Sequence, residues 1–512
     1  MNTDKIIIVG GGSAGWMTAA TLVSKFPEKD ITVIEDPGTS ILGVGESTIG
    51  QIRKWLSYVG IDELDFVKET DAIIKLSIKF TDFHKVGESF HYPFGEPYIQ
   101  NNLMGTNDWW YKKIIYPKTS SYDYADCMYP AMSMINNNTF SFKSQTEMPY
   151  NYLSQSAFHF DAAKFGVWLK DNFCKPKGVK HVLEKIKKIE GNQFDGIKQV
   201  NGHTADLYID CTGRGALLSN TLGHGWLSYQ DILPNDRAVA TRIPYKNKEK
   251  EMVPYTNCTA VEKGWVWNIP LWSRIGTGFV YSSDFMSKEE ADEWFRNYLN
   301  DDGSLQMKHI EFPVGIRNKV WAKNCVAIGM AAGFIEPLES SGLYTVHEFL
   351  IKLCRELEHD VITDINRSNF NHSCHLQFRE FAEFVSTHYA LSKRQDSDYW
   401  KFLTQNRDYN TINLEAPEPA THFGLKQYCM IRNRVNVWPQ NQGISCIAAG
   451  MNWAPTDRHA VLYENNTGDL DTFIKLWKPY VEQLDKRKKD WDKKAKDYES
   501  YYDFIKNRFY AD

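Results

Sequence analysis

"KIIIVGGGSAGWMTAATLVSKF", residues 5–26, decides the fold. A continuous apolar run, Ile6 to Val9, enters Gly10-Gly11-Gly12-Ser13-Ala14-Gly15 and emerges in an alanine-rich stretch of helical character. "DITVIED", residues 30–36, then reads as a second strand ending on Glu35. The order is strand, G-x-G-x-x-G, helix, strand, acid, which is the pattern of a dinucleotide-binding turn. Gly10 permits the tight turn, Gly12 lets backbone approach a pyrophosphate, and Gly15 lets helix and strand pack closely. The N-terminus of the helix, at Ser13 and Ala14, turns N–H groups toward the phosphates. Glu35 is placed to accept hydrogen bonds from a ribose. A tight turn without a ligand would also use Gly10, and the motif alone does not separate FAD from NAD.

Two distant segments repeat the strand-to-glycine theme. "ADLYIDCTGRGALLSN", residues 205–220, runs a strand from Leu207 to Ile209 into Asp210-Cys211-Thr212-Gly213. "NCVAIGMAAGFIEPLESSG", residues 324–342, runs Val326 to Ile328 into Gly329. A sheet completed by segments this far apart suits a flavoprotein of monooxygenase type, whereas NAD dehydrogenases usually complete their Rossmann domain contiguously. The expected fold is mixed α/β (α+β). An FAD-binding, monooxygenase-like Rossmann domain, discontinuous in sequence, spans 1–350. Substrate-binding segments are inserted at about 80–160 and 220–310, and a mainly helical substrate-side region covers 351–512.

A chain of 512 residues exceeds one ordinary core. At 42% hydrophobic and 24% charged it reads as soluble and globular. A net charge of −5 argues against nucleic acid as a partner. No run reaches the roughly 18 apolar residues of a membrane helix, and the N-terminus carries no signal-peptide pattern. The nine cysteines are odd in number and form no CxxC pair. They are expected to be reduced, buried thiols of a cytoplasmic protein, with no metal site.

Three motifs resemble the flavin-dependent halogenases of the tryptophan-halogenase type. They are the glycine turn together with "GVGEST" at 43–48, W-x-W-x-I-P at Trp265, Trp267, Ile269 and Pro270, and "FIEPLESSGL" at 334–343. "HYPFG" at 91–95, "THYALSKRQDSDYWK" at 387–401 and "GMNWAPTDRH" at 450–459 add weaker likeness. The resemblance implies an enzyme in which FADH2, supplied by a separate flavin reductase, and O2 oxidise halide to hypohalous acid. The oxidant then travels to a lysine and halogenates an aromatic substrate. The alternative is a hydroxylase or other FAD oxidoreductase of the same fold.

Carried over residue by residue, the resemblance makes Lys75, in "DAIIKLSIKF", and Glu339 the catalytic pair. Alternation over Lys75 to Phe80 puts Lys75, Ser77 and Lys79 on one face of a strand, so spacing alone does not choose between the two lysines. Glu336 is the local competitor of Glu339. Ser341 and Gly342 match the halide-holding amides. Gly45, Glu46, Ser47 and Thr48 of the strap, with Gly329 and Ile335, join the glycine turn and Glu35 around the cofactor. Trp265 and Trp267 match the pair that shields the flavin, and Tyr92 and Phe94 the pair that flanks the substrate ring. As ordinary structure, the tryptophans are core residues on one strand face, and Ser340 or Ser341 caps the helix that follows.

Some positions depart from the family pattern. Tyr92 replaces a histidine, Ser341 a threonine, and Ile49-Gly50 stands where the strap usually has proline. No counterpart of the tyrosine and glutamate clamp for free tryptophan is visible near the C-terminus. Tyr92 and the missing clamp point to an indole- or phenol-like small molecule other than tryptophan itself; the Ser341 change matters little if a backbone amide holds the halide, and Ile49-Gly50 bears on the strap's gating. A homo-oligomer is compatible with the sequence. "LDKRKKDWDKKAKDYESYYDFIKNRF", residues 484–509, reads as a charged surface helix.

Overall fold

The first strand, Lys5–Val9, is buried on both faces, and that is why its sequence is apolar without alternation. It lies inside a six-stranded sheet ordered Trp321–Ala322, Cys325–Ala327, Leu207–Asp210, Lys5–Val9, Asp30–Glu35, Lys180–Leu183. Every neighbouring pair except the outer hairpin of Trp321–Ala322 with Cys325–Ala327 is parallel. Ile6 faces Leu207 on one side and Ile31 on the other. The two distant glycine-turn strands therefore complete the Rossmann sheet, as their sequences imply. Lys180–Leu183, a partly exposed edge strand, extends it on the far side.

The structure is a computed structural model and describes residues 3–38, 45–98, 108–405, 441–452 and 467–511. Gly43 and Val44 of the strap and most of "GMNWAPTDRH" lie outside the described residues. The chain divides into two compact units. One takes Met1–Ile73, Ala157–Pro244 and Leu271–Ala382, and the other Ile74–Ser156, Tyr245–Pro270 and Glu383–Asp512.

The first unit holds the Rossmann sheet, the helix Ser13–Lys25 that crosses it, and the long helix Ser341–Leu357. It also holds an antiparallel group in which Arg237–Ile243 pairs with Ile275–Tyr281 and with Lys308–Glu311. In the second unit, Gly264–Pro270 pairs antiparallel with Tyr255–Val261, which runs parallel to Ser77–Thr81, which pairs antiparallel with Ser89–Pro93. Beyond residue 383 the described chain of this unit is mainly helical, including Asp398–Gln405, Asn441–Gly450 and Leu470–Ala495. No helix among the described residues is long and apolar enough to cross a membrane. Eight cysteines are described, and all are buried and outside any disulfide.

The charged C-terminal stretch differs from its sequence reading. It is not one surface helix: the helix begins at Leu470 and stops at Ala495, and a short strand and a further helix, Tyr501–Ile505, follow. Val481, Leu484, Trp491 and Ala495 recur at helical spacing and are buried. On the same helix, Lys488 reaches Asp123 at 2.8 Å and Asp126 at 3.1 Å. Asp123, Cys127 and Asp485 converge as metal ligands would. The ammonium of Lys112 sits among them, 2.6 Å from Asp123 and 2.5 Å from Asp485. A lysine thus supplies the positive charge that this cluster needs.

Burial alone would raise the Asp123 carboxyl, but Lys112 and Lys488 outweigh it and hold its pKa below the ordinary value. A carboxylate lowered in the native state stabilises the fold above its unfolded pKa, and that contribution is lost as pH falls through the native one. Asp123→Asn is expected to destabilise the protein at neutral pH by about 3–5 kcal/mol, since it leaves two ammonium groups short of a partner. Urea unfolding should show this, and the variant should lose less further stability than the parent below about pH 4.

Candidate active site

In the first unit, the chain turns at Gly10 with φ +114°, and a Cβ there would lie 2.3 Å from the carbonyl oxygen of Cys211. The first and second glycine turns therefore touch backbone to backbone. At Gly15 a Cβ would stand 1.8 Å from the carbonyl oxygen of Gly10, so helix and strand approach as closely as glycine allows. Gly12 is different: nothing lies within 4 Å of its missing Cβ. The helix Ser13–Lys25 starts at this open point with no side-chain cap. Unspent amides beside an empty glycine surface, at the carboxyl ends of parallel strands, are the cradle that a dinucleotide pyrophosphate requires.

Glu35 ends the second strand, and its Oε2 lies 2.9 Å from Nε2 of His181. His181 comes from the edge strand Lys180–Leu183 and packs edge-on against Trp16, with ring centroids 5.1 Å apart. It orients Glu35, and no local sequence signal announces it, because the strand that carries it lies some 150 residues away. On the other side, Asp210 ends its strand fully engaged. One carboxylate oxygen accepts from the N–H and hydroxyl of Thr212, the other from the N–H and hydroxyl of Ser219.

The strap and the "FIEPLESSGL" segment come together within this unit. Thr48 is tied to Phe158 by its N–H at 3.0 Å and its hydroxyl at 2.8 Å. The hydroxyl of Ser340 donates to that of Ser47 at 3.0 Å. A Cβ on Gly342 would come within 2.8 Å of the Glu46 carboxylate. Pro337–Glu339 forms a single 3-10 turn, and Ser340 follows at φ +57°, a left-handed conformation unusual for serine. The helix Ser341–Leu357 then begins without a side-chain cap. The capping role that ordinary helix chemistry assigns to Ser340 or Ser341 is therefore not realised, because Ser340 bonds the strap instead. Ser341 keeps its hydroxyl oxygen buried with no hydrogen-bond partner among the described residues.

Glu336 and Glu339 are both buried. Oε2 of Glu336 accepts from Asn235 at 2.8 Å, a structural tie that the sequence did not reveal. Gly329 turns at φ +68°, and Ile335 is buried.

The second unit carries the remaining candidates. Trp265 and Trp267 lie on Gly264–Pro270, opposite Ala260 and Cys258, with ring centroids 6.0 Å apart. Both are buried. Lys75 is fully buried, and its Nζ lies 4.9 Å from the centre of the Phe94 ring. Ile73–Lys75 and Ser77–Thr81 are separate strands with Leu76 between them; the N–H of Leu76 donates to the carbonyl of Pro254 and its carbonyl accepts from the N–H of Phe94. Lys79 is half-buried and pairs in register with His91. Burial lowers the pKa of Lys79. Burial, with Lys79 adding to it, pushes His91 down to about 3, so this histidine is neutral. Tyr92 packs edge-on against Phe384 at 6.0 Å.

This architecture has close relatives. The profile of the tryptophan halogenase family matches residues 5–465. The chain belongs to the tryptophan halogenase family. It is 34% identical over 470 residues to tryptophan 6-halogenase SttH of Streptomyces toxytricini, covering 86% of this chain and 87% of that one. Among solved structures it is similar to VirX1, at 35% identity, TM-score 0.89 and full coverage of both chains. It is also similar to Tar14, a tryptophan C-6 flavin-dependent halogenase from taromycin biosynthesis, at 28% identity and TM-score 0.81, covering 98% of this chain and 99% of that one. The protein is thus a flavin-dependent halogenase by family. Within that family the described turn geometry makes residue 15 intolerant of any side chain. Gly15→Ala is expected to push the first helix off its strand and weaken FAD binding roughly ten-fold or more, read by quenching of flavin fluorescence.

Proposed function

We propose that this halogenase uses FAD, halide and O2 to halogenate a small indole- or phenol-like molecule by electrophilic substitution, with reduced flavin delivered by a separate reductase. One observation carries the reading. The Pro337–Gly342 turn presents a buried carboxylate, Glu339, an unpartnered buried hydroxyl, Ser341, and an uncapped helix N-terminus within three residues, held against the strap by Ser340 and Ser47.

When bound, reduced FAD with O2 supplies the oxidation of halide to hypohalous acid. Gly10, Gly12, Ser13, Ala14 and Gly15 hold its pyrophosphate, Glu35 its ribose, and Gly45 to Thr48 with Gly329 and Ile335 its remaining surface. The N–H groups of Ser341 and Gly342 hold the halide, and the free Ser341 hydroxyl can add a third donor. Lys75 receives the oxidant, as a hydrogen-bond donor or as the amine that carries the halogen. Its burial keeps competing water away. The substrate ring takes the halogen as its bond to oxygen, or to the Lys75 nitrogen, breaks, releasing water or the lysine amine, and Glu339 accepts the proton that the ring must lose to regain aromaticity. Tyr92 and Phe94 flank the ring. Trp265 and Trp267 are walls that keep an organic substrate from the flavin, so that only a small oxidant passes. The relatives named for tryptophan make an indole a natural substrate class. Tyr92, where the family usually has histidine, favours a ring other than that of tryptophan itself.

The test is an indole and phenol panel run with FAD, a flavin reductase and chloride, bromide or iodide in turn, with product masses recorded. Halogenated product is expected, and hydroxylated product alone would overturn the reading. Lys75→Ala should abolish halogenation while FAD binding and peroxide release persist; retained halogenation would show that Lys79 or another group does the work. Replacing Trp265 and Trp267 together with small residues should admit substrate to the flavin and yield hydroxylated by-product. A variant that only loses thermal stability would show that the pair serves packing alone.

A further inference from the structure

Arg317 in the first unit is 7% exposed. Its Nε donates to the carbonyl of Ala331 at 2.7 Å and its Nη2 to Oδ1 of Asn220 at 2.6 Å. Its backbone N–H bonds Ala332 at 2.8 Å. Every one of these acceptors is neutral, and Arg317 forms no ion pair among the described residues. Asp210 is the carboxylate that acts on it electrostatically, and both oxygens of Asp210 are already taken by Thr212 and Ser219. A buried guanidinium stays charged, and buried charges are ordinarily paired.

Arg317 lines a pocket of about 350 Å³ that opens to the surface of this unit. The pocket has two further arginines, and each is neutralised within the wall: Arg237 by Asp236 at 2.7 Å, and Arg214 by Glu311 at 2.5 Å. One positive charge is left over, at Arg317. Trp226, Phe312 and Met330 supply apolar wall, while Asn220 and Gln230 supply amides. The volume lies at the lower end of the range for small-molecule sites and is far larger than a halide ion needs. None of the lining residues belongs to the proposed catalytic, halide or cofactor set.

We propose that this pocket binds a small organic anion: a flat apolar body carrying one carboxylate or phosphate group, which pairs with Arg317. The apolar body lies against Trp226, Phe312 and Met330. Because Arg317 also grips the carbonyls of Ala331 and Ala332, the turn after Gly329, an occupant is linked to the backbone of the third glycine turn by two hydrogen bonds. The inference stands apart from the halogenation chemistry and does not depend on it.

The test is calorimetric titration of the FAD-saturated protein with 2-naphthoate, phenyl phosphate and sodium bromide, in the parent, Asn220→Asp and Lys75→Ala. Asn220→Asp leaves Arg317 in place and gives it the missing carboxylate 2.6 Å from Nη2. One-to-one binding of either organic anion, tighter than about 1 mM and weakened at least about ten-fold by Asn220→Asp but not by Lys75→Ala, is expected. Which organic anion binds more tightly identifies a carboxylate or a phosphate ligand. Three results would overturn the proposal: no saturable binding by about 10 mM, bromide binding as tightly as the organic anions, or loss of binding in Lys75→Ala with retention in Asn220→Asp.

Discussion

The carbonyl oxygen of Gly10 occupies the place where residue 15 would carry its Cβ. That contact sets the distance between the first helix and the central strand, and the rest of the first unit is organised around it. The same turn leaves no room for a side chain at Gly10, where the backbone of Cys211 presses in. Strands some 200 residues apart in the chain thus meet through bare backbone, and their carboxyl ends share one rim. Ligands of open parallel sheets bind along such rims. Gly12 is the one glycine of the motif that leaves space instead of removing a clash, and the uncapped helix starts there.

The second organising feature is a set of polar groups that decline their usual structural partners. A serine preceding a helix normally caps it, worth about 1 kcal/mol. Ser340 takes a left-handed backbone and gives its hydroxyl to Ser47 instead. Strain of this kind costs of order 1–3 kcal/mol and persists where surrounding structure enforces it, often at functional sites. Ser341 is left with a buried, unpartnered hydroxyl beside the open amides. The nearby Glu336 accepts a hydrogen bond from Asn235. Several other buried charges of the described residues are met by charges of opposite sign. The aspartates that converge near Cys127 are filled by Lys112, and Asp71 and Asp161 share Arg274 at 3.1 and 2.8 Å. Against that background, the neutral surroundings of Arg317 stand out.

Much of the first unit was legible because its signals are local. A both-faces-buried strand must be continuously apolar, and a phosphate turn must be glycine at fixed spacing, so Ile6–Val9 and Gly10–Gly15 announce themselves. The strands near residues 207 and 326 were legible for the same reason, although their neighbours in the sheet lie elsewhere in the chain. The edge strand Lys180–Leu183 was not, since a half-exposed K-H-V-L carries no periodicity to mark it. Nor was the division between Ile73–Lys75 and Ser77–Thr81. The C-terminal helix looked wholly solvated because lysine and aspartate crowd it. Its buried face is thin, and the half-buried Lys488 pairs with aspartates from another helix.

The sequence by itself determined the Rossmann core and its discontinuity, because hydrophobic period and glycine spacing act over a few residues, and it named the candidate site residues through their motifs. Only the tertiary structure decided how those residues are used: His181 beside Glu35, Asn235 on Glu336, Ser340 turned from its helix to Ser47, and Arg317 among neutral acceptors. Each is a hydrogen bond between segments tens to hundreds of residues apart, and the partner of such a bond is chosen by packing, not by sequence neighbourhood.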